Sequence, residues 1–290
     1  MYVEKLKPQC ISCLKSKHLT APDSFSQEQK QAYTQGILKI IDGAEKHHSA
    51  PVVVEKINEF KESMGIISDY REIKESFNAY MLSLENDIQS KISFSPDPLK
   101  AALLYAIAGN FIDFGALDSV AIEKLNEILK NSQSISISED TFSAFKSEIS
   151  SAQKIVYILD NCGEIVLDKL LLKQIKKTNP DAEIDVIVRG KDVLNDCTIK
   201  DANDTGLANL VSVTDNGTAI AGTCLERISK ESKIIIDNAD IIISKGQGNF
   251  ETLSYSGKNI YYLFLCKCDM FAQKFGVEKF TGMLLREKDL

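Results

Sequence analysis

The 290 residues include no tryptophan, and that absence by itself excludes nothing. The lack of a long apolar run excludes more, since no stretch approaches the roughly 20 residues that a membrane-spanning helix needs. The N-terminus MYVEKLKPQC has no secretory apolar region, so no export is expected. Positive charge is in deficit: the formal net charge of -7 argues against a general nucleic-acid binder. A GxxxxGK(S/T) run is missing, which disfavours a nucleoside triphosphate P-loop. GxGxxG is missing after the first strong strand pattern, which argues against a dinucleotide dehydrogenase. What remains is ordinary for a soluble globular chain, with 44% hydrophobic and 26% charged residues. Seven cysteines, an odd number without an export signal, fit a reducing cytoplasm. Nothing in the composition points to an oligomeric state.

The first half reads as helical. Ser26 is suited to cap a helix whose Tyr33, Ile37, Leu38 and Ile41 share a face. Val52, Ile57 and Phe60 mark another amphipathic segment, and a longer stripe runs through Tyr70, Phe77, Met81 and Leu84. Asp97-Pro98 starts a helix that is expected to continue through AGNFIDFG at 108–115. There Asn110 and Asp113 would share a face, either as a satisfied structural pair or as a site wall. The serine-rich stretch 131–153 marks a boundary, giving a helical domain over 1–150 and an α/β domain over 151–290.

The second half alternates. Ile155 to Leu159 form a continuous apolar run, expected as a strand buried on both faces, and it stops at Asp160-Asn161-Cys162-Gly163-Glu164. Ile165, Val166, Leu170, Leu171 and Ile175 follow at helical spacing. Further strands are expected at 184–188, 210–213, 240–244 and 259–265, with a closing helix at 270–275. This order predicts a Rossmann-like, mostly parallel sheet joined to an all-helical N-terminal domain. Loops after successive strands would then gather at one sheet edge, where such folds bind ligands.

Three of those loops are polar. The first carries Asp160 and Asn161, the second reaches Asn195-Asp196, and the fourth reads Lys245-Gly246-Gln247-Gly248-Asn249. A solvated turn, with Asp160 accepting backbone N–H groups, is one explanation of the first. The other is that Asp160, Asn161 and Asp196 form a sparse set of hard ligands, leaving a Mg²⁺ or Mn²⁺ open positions for water and a phosphate. Lys245 would then neutralise a phosphoryl oxygen, with N–H groups of Gly246 and Gly248 aimed at the same anion.

Six pieces together carry a family resemblance: CxxC at 10–13, AGNFIDFG at 108–115, LDNCGEIVLDKLL at 159–171, NDCTIKDA at 195–202, SKGQGNFETL at 244–253 and FLCKC at 264–268. In this set and order the chain resembles the DUF89 family of metal-dependent damage-control phosphatases, in the archaeal and bacterial branch with an N-terminal CxxC. The resemblance implies a helical part on a Rossmann-like core and hydrolysis of phosphate monoesters of small metabolites with Mn²⁺, Ni²⁺, Co²⁺ or Mg²⁺. It implies Asp160, Asn161 and Asp196 as metal ligands and Lys245 and Asn249 as phosphate-holding residues. Asn110 and Asp113 would face the same cleft, and Glu164 would belong to the water or substrate shell.

Either water or Asp160 itself is available as the attacking group. A hydrophobic strand ending in Asp also resembles the haloacid-dehalogenase phosphatases, but those carry a second Asp two residues on, where this chain has Cys162. Water is therefore the expected nucleophile. Cys10, Cys13, Cys266 and Cys268 are either reduced thiols or a four-thiolate metal site. His47-His48 reads as exposed. Two other readings use the same pattern: a non-catalytic phosphometabolite-binding protein, and an S-adenosylmethionine-dependent carboxyl methyltransferase. The second would normally show a glycine-rich loop after the first strand.

Overall fold

A computed structural model describes residues 6–44, 49–112 and 119–290, without the side chains of 119–121. Asp113, His47 and His48, with Phe114 and Gly115 of the AGNFIDFG run, lie outside the described residues. Seven helices come first: α1 Pro8–His18, α2 Gln27–Asp42, α3 Ala50–Ser63, α4 Arg71–Ser93, α5 Pro98–Gly109, α6 Ser119–Lys130 and α7 Glu139–Ser151. Then strands and helices alternate as β1 Lys154–Ile158, α8 Glu164–Thr178, β2 Glu183–Val188, α9 Ile199–Asp204 and β3 Ser212–Asp215. The chain continues through α10 Lys230–Asp237, β4 Ile241–Lys245, α11 Gln247–Leu253, β5 Ile260–Leu265, α12 Asp269–Phe275 and β6 Gly282–Arg286.

The sheet order is β3-β2-β1-β4-β5-β6. β1 pairs in parallel with β2 and β4, so Tyr157 lies level with Val186 on one side and Ile243 on the other. β4–β5 and β2–β3 are also parallel, and β5–β6 is antiparallel. The Rossmann-like, mostly parallel sheet is therefore as expected. Strand order reverses between β1 and β4, and their carboxyl ends open the crevice in which doubly wound folds bind ligands.

Local chemistry explains the helix starts. Ser26 and Gln29 form a reciprocal capping box at α2. Asp97 caps α5 by accepting from the Lys100 N–H, with Pro98 in the first turn. α5 is apolar on every face, as a helix sealed inside a core must be, and it packs against α4, α8 and β5. One hydrophobic cluster runs from Phe77 of α4 through α5, α7 and α8 to the sheet and Leu284 of β6. Packing thus joins α4, α5 and α7 to the sheet across position 150, whereas α1 to α3 keep a small core of their own around Tyr33, Ile37 and Ile57.

The structure departs from expectation in three places. α5 stops at Gly109, so Asn110 is its C-cap and not a face residue. β3 begins two residues later than expected because 207–209 forms a tight 3₁₀ turn, and as an edge strand it is only half covered. β6 is an additional edge strand that the sequence reading does not contain. No helix among the described residues is long and apolar enough to cross a membrane.

Candidate active site

The first two loops are zipped together through their backbones. The Cys197 N–H donates to the Asp160 carbonyl at 2.7 Å, and the Cys162 N–H donates to the Asn195 carbonyl at 2.8 Å. The result is an isolated antiparallel bridge that sets Asn161 opposite Asp196. Residues far apart in the chain thereby become neighbours through main-chain bonds, to which the Cys162 thiol adds a contact to the Asp196 carbonyl at 3.8 Å.

The fourth loop supplies the floor. Gly246 has φ +79° and a backbone N–H bonded to the Leu263 carbonyl, so it continues the sheet and does not point at an anion. Its role is space: a Cβ there would fall 1.9 Å from Oδ2 of Asp160. The carboxylate of Asp160 lies in the notch that glycine leaves, which no other residue provides.

Asp160 is only 12% exposed. Its Oδ2 accepts from the Asn161 and Asn110 amides at 2.7 and 3.1 Å. Burial, followed by the charges of Asp196 and Glu164, pushes its pKa up to about 8, with Arg189 and Lys267 pulling the other way. Asp196 is also raised by burial, against the opposing pull of Arg189. Arg189, 1% exposed, donates from Nε to Asp196 Oδ2 at 2.6 Å and reaches Asp160 Oδ1 at 3.4 Å.

Beneath this layer lies a second one. The Lys245 ammonium is fully buried and donates to Glu164 Oε1, to Asp168 Oδ1 at 2.8 Å and to the Ala106 carbonyl at 2.8 Å. Three acceptors use its three protons, so none remains for a phosphoryl oxygen. The expectation that Lys245 holds phosphate does not match this geometry. Burial works to lower the Lys245 pKa, but Asp168 and Glu164 outweigh it and the net shift is upward. Tyr157 donates to the same Asp168 oxygen at 2.6 Å, and burial raises Asp168 to about 7 despite Lys245. Glu164 joins the layers: it accepts from Lys245 below and from the Asn110 and Asn161 amides above.

Asn249 is likewise saturated. Its amide donates to the Leu159 and Lys245 carbonyls, and its oxygen accepts from Arg189 and Thr223. It braces Arg189 and has no atom left for an anion. Asn110 anchors the helical part to this site: its oxygen accepts from the Leu265 N–H at 3.0 Å while its amide serves Asp160 and Glu164.

A family model described as "Damage-control phosphatase ARMT1-like domain" matches residues 5–282. The chain belongs to this family. A similar protein is an uncharacterised one from Methanocaldococcus jannaschii, 31% identical over 97% of this chain and 95% of its own. A damage-control phosphatase of Pyrococcus horikoshii is 35% identical over 64% of each chain. The crystal structure of a DUF89 family protein of Pyrococcus horikoshii superposes with a TM-score of 0.81 at 26% identity, covering 98% of this chain and 99% of that one. Membership in the damage-control phosphatase family makes this chain a phosphomonoester hydrolase, as the sequence motifs imply.

For a damage-control phosphatase, the question is whether these residues suit a divalent cation. Four carboxylates (Asp160, Glu164, Asp168 and Asp196) crowd two buried cations, Arg189 and Lys245. The Asn161 amide nitrogen sits between two carboxylates, which leaves its carbonyl oxygen outward. Neither that oxygen nor Oδ1 of Asp196 accepts a hydrogen bond from the described residues, so a hard cation finds oxygen donors there. Among the described residues no three His, Cys, Asp or Glu side chains form a ready-made cage. That includes Cys10, Cys13, Cys266 and Cys268, all free thiols.

Three participants escape the sequence reading. Arg189 looks like the residue that ends a strand. Asp168 looks like one polar residue on an amphipathic helix, but α8 is covered on nearly every side. Lys267, half-buried just after β5, is close enough for its charge to lower the Asp160 pKa. Asp168 and Lys267 had a signal, since they lie within the LDNCGEIVLDKLL and FLCKC runs; Arg189 had none.

Proposed function

We propose that this phosphatase hydrolyses phosphate monoesters of small metabolites with a divalent cation held by Asp160, Asn161 and Asp196. The observation that carries the reading is the convergence of those three residues over Gly246, through a backbone bridge that presets their spacing. The donor set suits Mn²⁺, Ni²⁺, Co²⁺ or Mg²⁺, each of which accepts oxygen ligands.

When bound, the cation supplies Lewis-acid chemistry, drawing charge from a phosphoryl oxygen as the ester bond breaks. The residues do the rest. Lys267, whose charge acts on Asp160, would lend positive charge to an equatorial phosphoryl oxygen. Glu164, held from below by Lys245, engages the Asn161 amide nitrogen and so would leave the amide oxygen to hold the cation. Asp160 is hemmed in by two amides and a guanidinium, and such a carboxylate is a better ligand than nucleophile. Water is accordingly the attacking group in this reading.

The test is phosphate release from p-nitrophenyl phosphate and a sugar-phosphate panel, with and without EDTA. Release that EDTA stops and Mn²⁺ restores is expected. Asp160→Ala and Asp196→Ala should each lower it by at least about 10³-fold with the fold intact, consistent with loss of electrostatic stabilisation at a preorganised site. Full turnover in either variant removes that residue from the mechanism. Tight binding of sugar phosphates without release would favour a non-catalytic binder instead.

A further inference from the structure

Arg189 heads the large side chains that the described fold buries outright, and so far it serves only to hem in Asp160. A guanidinium taken out of water is tolerated only where its donors meet acceptors. Here Nε bonds Asp196 Oδ2 at 2.6 Å, Nη1 bonds Asn249 Oδ1 at 3.1 Å and Thr223 Oγ1 at 3.3 Å, and Nη2 reaches Asp160 Oδ1 at 3.4 Å. Those acceptors come from the segments after β1, β2 and β3 and from α11. The bracing groups are themselves tied. Thr223 donates to Asn249 at 2.8 Å, and the Arg189 N–H is bonded to the Cys197 carbonyl at 2.9 Å.

We propose that Arg189 is the positioning residue of the cation site: it fixes the carboxylate of Asp196 against that of Asp160, so that Asp196 presents Oδ1 alone. This rests on the cation-dependent reading above. A carboxylate has a broad terminal torsion and, left unrestrained, turns readily between one-oxygen and two-oxygen coordination. With Oδ2 committed to a planar fork that four segments hold in place, that freedom is gone. Lysine cannot substitute, because one ammonium does not span Asp196, Asp160, Asn249 and Thr223 at once. Two rival accounts predict different outcomes. If Arg189 were only a counter-charge for empty carboxylates, its removal would strengthen attraction for a dication. If it were only a structural plug, thermal stability would change and cation affinity would not.

The experiment measures the Mn²⁺ dissociation constant by electron paramagnetic resonance of free Mn²⁺, for the wild type, Asp196→Asn, Arg189→Lys and Arg189→Met. Both arginine variants should bind Mn²⁺ roughly 10- to 100-fold more weakly, the scale at which outer partners of metal ligands act. Turnover at saturating Mn²⁺ should fall less than affinity does. Equal or tighter Mn²⁺ binding by Arg189→Met overturns the proposal. If that variant does not fold, Arg189→Lys and Thr223→Val decide. Thr223→Val removes one Nη1 partner and should weaken Mn²⁺ binding about threefold, within the net value of one hydrogen bond. Wild-type affinity in both overturns the proposal. Failure of the wild type to bind Mn²⁺, or unchanged binding by Asp196→Asn, overturns the cation reading and this inference with it.

Discussion

Lys245 and Lys267 stand at the carboxyl ends of neighbouring parallel strands, β4 and β5, yet they meet the site in different ways. Lys245 is the last residue of its strand, is fully buried, and spends every proton on Glu164, Asp168 and a carbonyl. Lys267 lies two residues beyond the end of β5, half-buried, with its charge acting on Asp160. In a doubly wound sheet the final strand residue still belongs to the packed layer, and the residues just past it belong to the crevice. Adjacent glycines make Lys245 look like the anion ligand in sequence, but position along the strand decides otherwise.

Substitution should separate the two lysines sharply. Lys245→Met strands two carboxylates in the core, and breaking such a buried pair is expected to cost about 3–5 kcal/mol, read as a large fall in urea midpoint. Lys267→Met, at a half-buried side chain, should lower that midpoint far less while kcat/KM falls about 10²-fold, the value of one preorganised charge at a developing anion. A Lys267→Met chain that unfolds as readily as Lys245→Met would erase the distinction.

Gly246→Ala sharpens it from the floor of the site. The added methyl collides with Asp160 in a backbone conformation reserved for glycine, so a stability loss of roughly 1–3 kcal/mol is expected, with weakened cation dependence. Wild-type stability and Mn²⁺ response in this variant would mean that Asp160 does not need the notch.

The smallest expected effect concerns pH. Asp160 and Asp168, raised to about 8 and about 7, and Asp196, also raised, hold protons in the folded chain that the unfolded chain has already released. The folded state therefore binds more protons, and stability falls as pH rises. Below pH 6.5 His18, lowered to about 4 by burial and Lys61, contributes with the opposite sign. The clean window is thus pH 6.5 to 8, where the EDTA-treated protein should melt progressively earlier and added Mn²⁺ should oppose the decline. Flat melting temperatures across that window would argue that the carboxylates are not crowded.

Much of this was legible in the residues. The apolar run before Asp160 can only be a strand covered on both faces, and the polar stop that follows places Asp160 and Asn161 at the sheet edge. Asp196 was readable because its loop is rich in oxygen donors. Asp168 was not, since its neighbours in LDKLL share the spacing of any amphipathic helix and only tertiary packing buries the polar face. Arg189 was hidden for a similar reason: its partners come from four segments, and no local pattern encodes their meeting. Asn110 was assigned to a helix that in fact ends one residue earlier, and that ending turns its amide toward Asp160. β6 escaped because a short antiparallel edge strand needs no crossover signal.

The bridge between the first two loops has a consequence for how the chain tolerates change. The thiols of Cys162 and Cys197 sit beside the ligands, yet the main-chain N–H of each residue makes the join. The join therefore excludes proline at both places, since proline has no hydrogen to give.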